Sequence, residues 1–287
     1  MVTGIDQGLA QLSLVAFTTL MPSGALAFVA IAALLLSRRL APAEAARLAR
    51  FLIIPLAVAM LGLIASTNHL GKPGNTLYVL MGVGRSPLSN EVFATGLFVA
   101  FAWTAWLLSF SERPWGRVRT VLLALSCASA LAAIAFISCA YSIRTVVTWD
   151  LPFTNVNLVA VAPMGGSVLA LATLRAAGVR RGRLERALLA LGAAGVLLAL
   201  GSQAAQCATL GSVRSGLVRA SDLVGGYPAV IAASAVGATA SLALAAVARR
   251  TPGRRGTALA WGACALMAAA VAAARFMFYA MHLTAGL

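Results

Sequence analysis

The sequence predicts an all-α integral membrane protein, a bundle of eight transmembrane helices with both termini on the outer, periplasmic side. It reads as a single domain over residues 1–287. Three observations lead there. Hydrophobic residues make up 61% of the chain and charged residues 10%, whereas soluble domains run near half and one quarter. A soluble fold of this composition could not cover its own surface, which excludes a soluble enzyme, a disordered regulator and a disulfide scaffold. Eight stretches reach the about 20 mostly apolar residues that cross a bilayer. Finally, 22 Lys+Arg stand against 7 Asp+Glu, a net charge of +15, and the basic residues are shared unevenly among the connections.

Taken in order, the first eleven residues hold one acid, Asp6, and no base. That suits a short translocated tail, and no charged region followed by a small-residue cleavage site marks a signal peptide. Leu12–Leu36 is the first span, and the turn into the second, Leu48–Ser66, carries Arg38, Arg39, Arg47 and Arg50. A long connection without an obvious element of its own follows, with Gly71, Pro73, Gly74, Gly82, Gly84 and Pro87; such loops are often functional. Glu91–Phe110 and Val118–Tyr141 come next, separated by Arg113, Arg117 and Arg119. Asn157–Leu174 and Ala187–Leu210 flank five arginines between Arg175 and Arg186. Pro228–Ala248 and Thr257–Met281 flank Arg249, Arg250, Arg254 and Arg255. Odd-numbered connections therefore hold sixteen of the 22 basic residues, even-numbered ones five, and Arg275 lies inside the last span. This bias places the odd connections in the cytoplasm. The spans are rich in Ala and Gly, which let helices approach closely in lipid. Gly165-Gly166 reads as such a packing site rather than a ligand loop.

The informative residues are those a bilayer should reject. His69 closes the second span and Glu91 opens the third, so the topology puts both at the outer face. A histidine and a carboxylate together can bind a hydroxyl and exchange its proton; oxidation of a quinol sheds two protons and needs such groups. The bland alternatives are a hydrated interfacial histidine and a first-turn acid favoured by the helix dipole. Arg275, Tyr279 and His282 follow an i, i+4, i+7 spacing and share one helix face. An arginine at mid-bilayer costs about 2.5–3.5 kcal/mol on insertion scales and usually faces the interior, although one near a helix end can snorkel outward. Tyr141, Gln203 and Gln206 are further lining candidates at the same end, or an interfacial aromatic and satisfied bundle amides. Two histidines at one end do not supply a pair of haems across the membrane. Cys127, Cys139, Cys207 and Cys264 lack paired spacing, so no metal site is expected.

Several of these segments jointly resemble the membrane anchor (C) subunit of the dimethyl sulfoxide reductase family of molybdoenzymes. The likeness runs over nearly the whole length. It is carried by Ala65-Ser66 through His69-Leu70-Gly71 with Leu88-Ser89-Asn90-Glu91, by Tyr141-Ser142-Ile143 through Thr148-Trp149 with Pro163-Met164-Gly165, and by Arg275, Phe278-Tyr279, His282, Thr284 and Gly286. The resemblance implies the quinol-dehydrogenase and anchor subunit of a multi-subunit oxidoreductase of anaerobic respiration. It would be multi-pass in the bacterial inner membrane. It would bind menaquinol near the outer face and pass electrons, without haem, to an iron–sulfur subunit. That subunit serves a molybdopterin catalytic subunit, where the terminal site lies. The family's quinol-binding, proton-transferring histidine and acid map onto His69 and Glu91; Arg275, Tyr279, His282 and Asn90 are the further pocket candidates. The rival readings are a polysulfide-reductase type of quinone-reactive subunit, a small-solute secondary transporter and a passive structural anchor. Polar groups gathered at one face argue against the transporter, whose sites lie at the midplane.

Overall fold

A computed structural model describes residues 4–67, 76–111, 116–215 and 218–284. Among these are eight helices long and apolar enough to cross a membrane. Helix α1 (Gly4–Ala10) precedes the first span, α2 (Leu12–Leu36). The second span runs over Pro42–Thr67 as two pieces, α3 (Pro42–Phe51) and α4 (Ile53–Thr67). A one-turn helix α5 (Thr76–Val79) and a 3-10 turn (Leu80–Gly82) precede α6 (Pro87–Leu107). Then come α7 (Gly116–Ala140), α8 (Thr154–Ala176) and α9 (Gly182–Thr209). A small antiparallel hairpin, β1 (Arg214–Ser215) with β2 (Val218–Arg219), and the short α10 (Ala220–Leu223) lead to α11 (Tyr227–Arg250) and α12 (Gly253–Ala280). All eight sequence-predicted spans are present, mostly with an added turn or so at one end.

Three expectations change. The first eleven residues are not a plain tail: α1 packs on the end of α12, with Gly8 against the Phe276 ring. The long connection before Glu91 contains α5 and the 3-10 turn. The second span is longer than predicted and broken, because Pro55 has no N–H to donate to the Phe51 carbonyl, so the ladder resets at Leu52. Proline also opens helices in its favoured first-turn position at Pro42, Pro87 and Pro228. At the end of α8, Gly178 takes φ +66°. The Val179 N–H then reaches back to the Leu174 carbonyl at 2.9 Å and the Gly178 N–H to Arg175 at 2.9 Å, a Schellman closure that needs a glycine.

Helix α8 is the central span, with 78% of its most apolar window buried against 22% for α11. It packs on α2, α9 and α12, while α6 pairs with α7 and α11 with α12. Small residues make the tightest seam. A Cβ on Gly24 would meet the Ala59 nitrogen at 2.5 Å and the Pro55 oxygen at 2.6 Å. Gly166 likewise faces the Ser23 carbonyl at 2.9 Å, so Gly165-Gly166 is indeed helix packing. Serine hydroxyls in these seams donate to carbonyls, including Ser241 to Ala263 across α11 and α12 at 2.6 Å. This satisfies donors that lipid would leave bare.

Cross-links sort the connections into two ends. At one, Arg47 donates to the Ala177 carbonyl at 2.6 Å and Arg181 pairs with Glu44 at 2.6 Å. At the other, loop 142–153 joins the segment after α12, and Tyr227 donates to Gln206 at 3.1 Å. Overpacking a tight core costs about 1–3 kcal/mol. Gly24→Ala is expected to destabilise by about that much, seen as a lower thermal midpoint in detergent. Gly96→Ala, where nothing lies within 4 Å of the added atom, is expected to be neutral or to stabilise by up to about 1 kcal/mol.

Candidate functional site

The site is built at the end where loop 142–153 meets the segment after α12. Val146 bridges Thr284 antiparallel. The Val147 N–H donates to the Leu283 carbonyl at 3.0 Å, and the Thr148 hydroxyl donates to the Met281 carbonyl at 2.8 Å. The Trp149 indole N–H donates to the Phe278 carbonyl at 3.1 Å, with its ring stacked on Phe278 at 5.0 Å and tilted over His282 at 4.9 Å. Tyr141 and Tyr279 close this aromatic group edge-on, 5.8 Å between centroids. The two phenols interact through their hydroxyls, and Tyr279 donates on to Thr18 at 3.4 Å.

In front of this wall is a cavity of about 620 Å3, within the size range of small-molecule sites. Its lining is largely apolar, from Leu14, Phe17, Leu63, Leu88 and Ile143 among others. Polar groups are few: Glu91 and His282, Trp149 and Tyr141 from the aromatic wall, Ser66 and Thr67 from the end of α4, and Asp6, Gln7 and Gln11 from the N-terminal segment. Glu91 is 6% exposed, and its Oε2 has no hydrogen-bond partner among the described residues. Burying a carboxyl oxygen unpaired is costly, and in a cavity wall such an oxygen is open to a donor from outside the protein. Asp6 is exposed, so the cavity has one acid inside and one on the N-terminal helix near its mouth.

The sequence-predicted residues separate into groups. Glu91 and His282 face the same cavity, with Tyr141 beside them. Tyr279 stands behind Tyr141 and Trp149 and is not part of the lining. Arg275 lies deeper, 1% exposed, with its guanidinium 4.7 Å over the Phe278 ring and its Nε and Nη1 without partners among the described residues. It acts electrostatically on Tyr279, Tyr227 and Tyr141. It does not pair with Glu91: the ion pairs among the described residues are Arg180–Glu185 and Arg181–Glu44. The Asn90 carboxamide is turned away, accepting from the Gly84 N–H at 2.6 Å, and so holds the loop before α6. His69 lies outside the described residues, two positions after the cavity-lining Thr67. Gln206 is a bundle amide, donating to Met281 Sδ at 3.1 Å and accepting from Tyr227. Gln203 is buried nearby, and its Oε1 has no partner among the described residues. Sequence reasoning missed Asp6, Gln7, Gln11 and the indole of Trp149; the only forewarning was the lone acid in the first eleven residues. The four cysteines are free thiols. Among the described residues no three His, Cys, Asp or Glu side chains group as metal ligands do.

Burial lowers the pKa of His282 below its usual 6.5, so the folded protein favours the neutral imidazole. As pH falls, the unfolded state takes up the proton first. His282 therefore contributes stability above about pH 6.5 that is lost below it. The thermal midpoint of the wild type relative to His282→Asn is expected to fall between about pH 7 and about pH 5.

The sequence matches the family described as DMSO reductase anchor subunit (DmsC) over residues 5–281. It is 29% identical over 229 residues to the YnfH subunit of anaerobic dimethyl sulfoxide reductase from Escherichia coli K12, covering 79% of each protein. To the C subunit of anaerobic dimethyl sulfoxide reductase from the same organism it is 29% identical over 228 residues, again 79% of each. To the C subunit of the Haemophilus influenzae enzyme it is 27% identical over 223 residues, 78% of this protein and 79% of the other. With eight membrane-spanning helices, a partly polar cavity at one end and a match across almost its full length, the protein belongs to the DMSO reductase anchor subunit family, as a multi-pass membrane anchor of a molybdoenzyme.

Proposed function

We propose that the Glu91 cavity binds menaquinol near the outer face of the membrane and that this subunit oxidises it. The observation that carries the reading is the buried Glu91 carboxyl, its Oε2 without a partner among the described residues, in a cavity of about 620 Å3 whose walls are otherwise mostly apolar. An apolar slot takes the ring and the start of an isoprenoid tail. A carboxyl oxygen with an open acceptor position takes a quinol hydroxyl and then its proton. The family relationship supports the same chemistry, and the second hydroxyl falls in this reading to His69, two residues past Thr67 of the cavity wall in the sequence.

Oxidation releases two electrons and two protons. Glu91 receives one proton inside the cavity and the His69 imidazole the other, and both pass on to the outer solution. His282, neutral and tilted against Trp149, presents a hydrogen-bonding edge to the same space. Arg275 is a positioning residue. Fixed behind Phe278 and amid Tyr141, Tyr227 and Tyr279, it holds positive potential behind the wall against which negative charge on the ring develops. Tyr279 and Asn90 support the wall and the loop rather than touch the ring. The electrons pass to an iron–sulfur partner subunit, and from there to a catalytic subunit carrying molybdopterin. Both the proton exit and the electron exit are assigned to the outer, periplasmic face of the bacterial inner membrane. An anchor that works without haem, as the family resemblance implies, has no carrier across a hydrocarbon core about 30 Å thick. Quinol oxidation is then electroneutral.

Glu91→Gln and His69→Gln are each expected to lower quinol-dependent reduction at least about 100-fold while the complex still assembles. Glu91→Gln is also expected to abolish quenching of a fluorescent quinol analogue by membranes holding the complex. Normal turnover in either variant overturns the site. Quenching in neither wild type nor variant would instead favour a passive anchor.

A further inference from the structure

The opposite end of the bundle holds a second cavity, of about 500 Å3, lined by Arg175, Ala176, Gly178, Arg180, Gly253, Arg254 and Thr257. It lies at the other end of α12 from His282, about 40 Å away at 1.5 Å per residue. Three of its seven lining residues are arginines. Arg175 is 6% exposed. One of its terminal nitrogens donates to the Thr251 carbonyl, while Nε and Nη1 have no partner among the described residues. A buried guanidinium normally recruits a carboxylate. Here Glu185 is engaged by Arg180 at 3.2 Å and by the Arg181 N–H at 3.2 Å, and Glu44 by Arg181.

The surroundings are shaped for this guanidinium. Gly256 lies against it, and a Cβ there would collide with the Arg175 terminal nitrogen and the Thr251 carbonyl. The cavity also opens on the N-terminus of α12, where Pro252 is the N-cap and no side chain caps the first turn. Backbone N–H groups and the helix dipole there favour an anion. Arginine forks with helix N–H donors are the recurring chemistry of phosphate recognition. Arg175 stands in the last turn of a membrane-spanning helix, at the level of lipid headgroups, and basic pockets between helices hold acidic headgroups in this way.

We propose that the Arg175–Arg180–Arg254 cavity is a binding site for a phosphate group, carried by an anionic phospholipid or free in solution. The phosphate completes the hydrogen bonding of Arg175 and ties the end of α8 to the start of α12.

The test uses the full-length protein with its partner subunits, purified in neutral detergent and stripped of lipid. Phosphatidylglycerol, phosphatidylcholine and inorganic phosphate are added at constant ionic strength, and bound adducts are read by native mass spectrometry. Phosphatidylglycerol is expected to be retained and phosphatidylcholine not. Arg175→Gln and Arg254→Gln are each expected to weaken retention about tenfold, while Arg85→Gln at the opposite end leaves it unchanged. Displacement of the lipid by millimolar inorganic phosphate would identify the soluble anion as sufficient; retention despite it would identify the lipid as the source. Equal retention of the two lipids, or wild-type retention in both variants, overturns the proposal. Arg254 is exposed at a helix start, so its variant decides the matter if Arg175→Gln fails to fold.

Discussion

The candidate quinol site depends on one set of contacts, the clamp that loop 142–153 places on the segment after α12. Backbone pairing of Val146 and Val147 with Thr284 and Leu283, and the Thr148 hydroxyl on the Met281 carbonyl, fix the last residues in register. That register sets Trp149 on Phe278 and His282 beside it, and so makes the cavity's rear wall. Nothing in the hydrocarbon region could do this work. A span's backbone is satisfied within itself, so only the loops have donors and acceptors left over to position one end of the chain against another.

The eight spans were legible because a bilayer imposes one length and one composition on every crossing element. Their ends were less so. A helix extends past the hydrocarbon edge where polar residues continue the ladder, as Arg183, Glu185 and Arg186 do at the start of α9. The break at Leu52 was written in Pro55, but only a ladder argument exposes it, since the hydropathy is unbroken there. Glu91 and Arg275 stood out because each is expensive in lipid. What the sequence could not separate was which of them shares a space. Helix geometry grouped Arg275, Tyr279 and His282 on one face, yet α12 ends at Ala280, ahead of His282, and the set spans several layers of packing. Only its last member reaches the cavity; Tyr279 and Arg275 sit behind aromatic rings. The N-terminal segment was misread as a tail because a helix of seven residues has too little periodic signal to announce itself, and its partners lie at the far end of the chain.

The two ends of the bundle carry opposite chemistries. At one, acids and neutral donors border an apolar slot; at the other, guanidinium groups border a polar one. The uneven division of 22 basic residues therefore does more than orient the protein. It leaves few cations around the slot and concentrates them at the opposite end, where basic residues can meet acidic headgroups. Arg275 is the basic residue inside a span, and its place behind Phe278 lets it act on the slot through its field without lining it.

The packing of α1 has a consequence for how the protein is made. Gly4 fits under the carbonyls of Leu223 and Ala280, and Gly8 under the Phe276 ring, so α1 docks on a helix synthesised about 250 residues later. Until α12 has been inserted, the roof of the cavity has no surface to rest on. The ligand site is then the final part of the subunit to mature, a long-range closure of the kind that is slow to form. An anchor truncated or stalled before its last span would be threaded through the membrane and still lack a closed cavity.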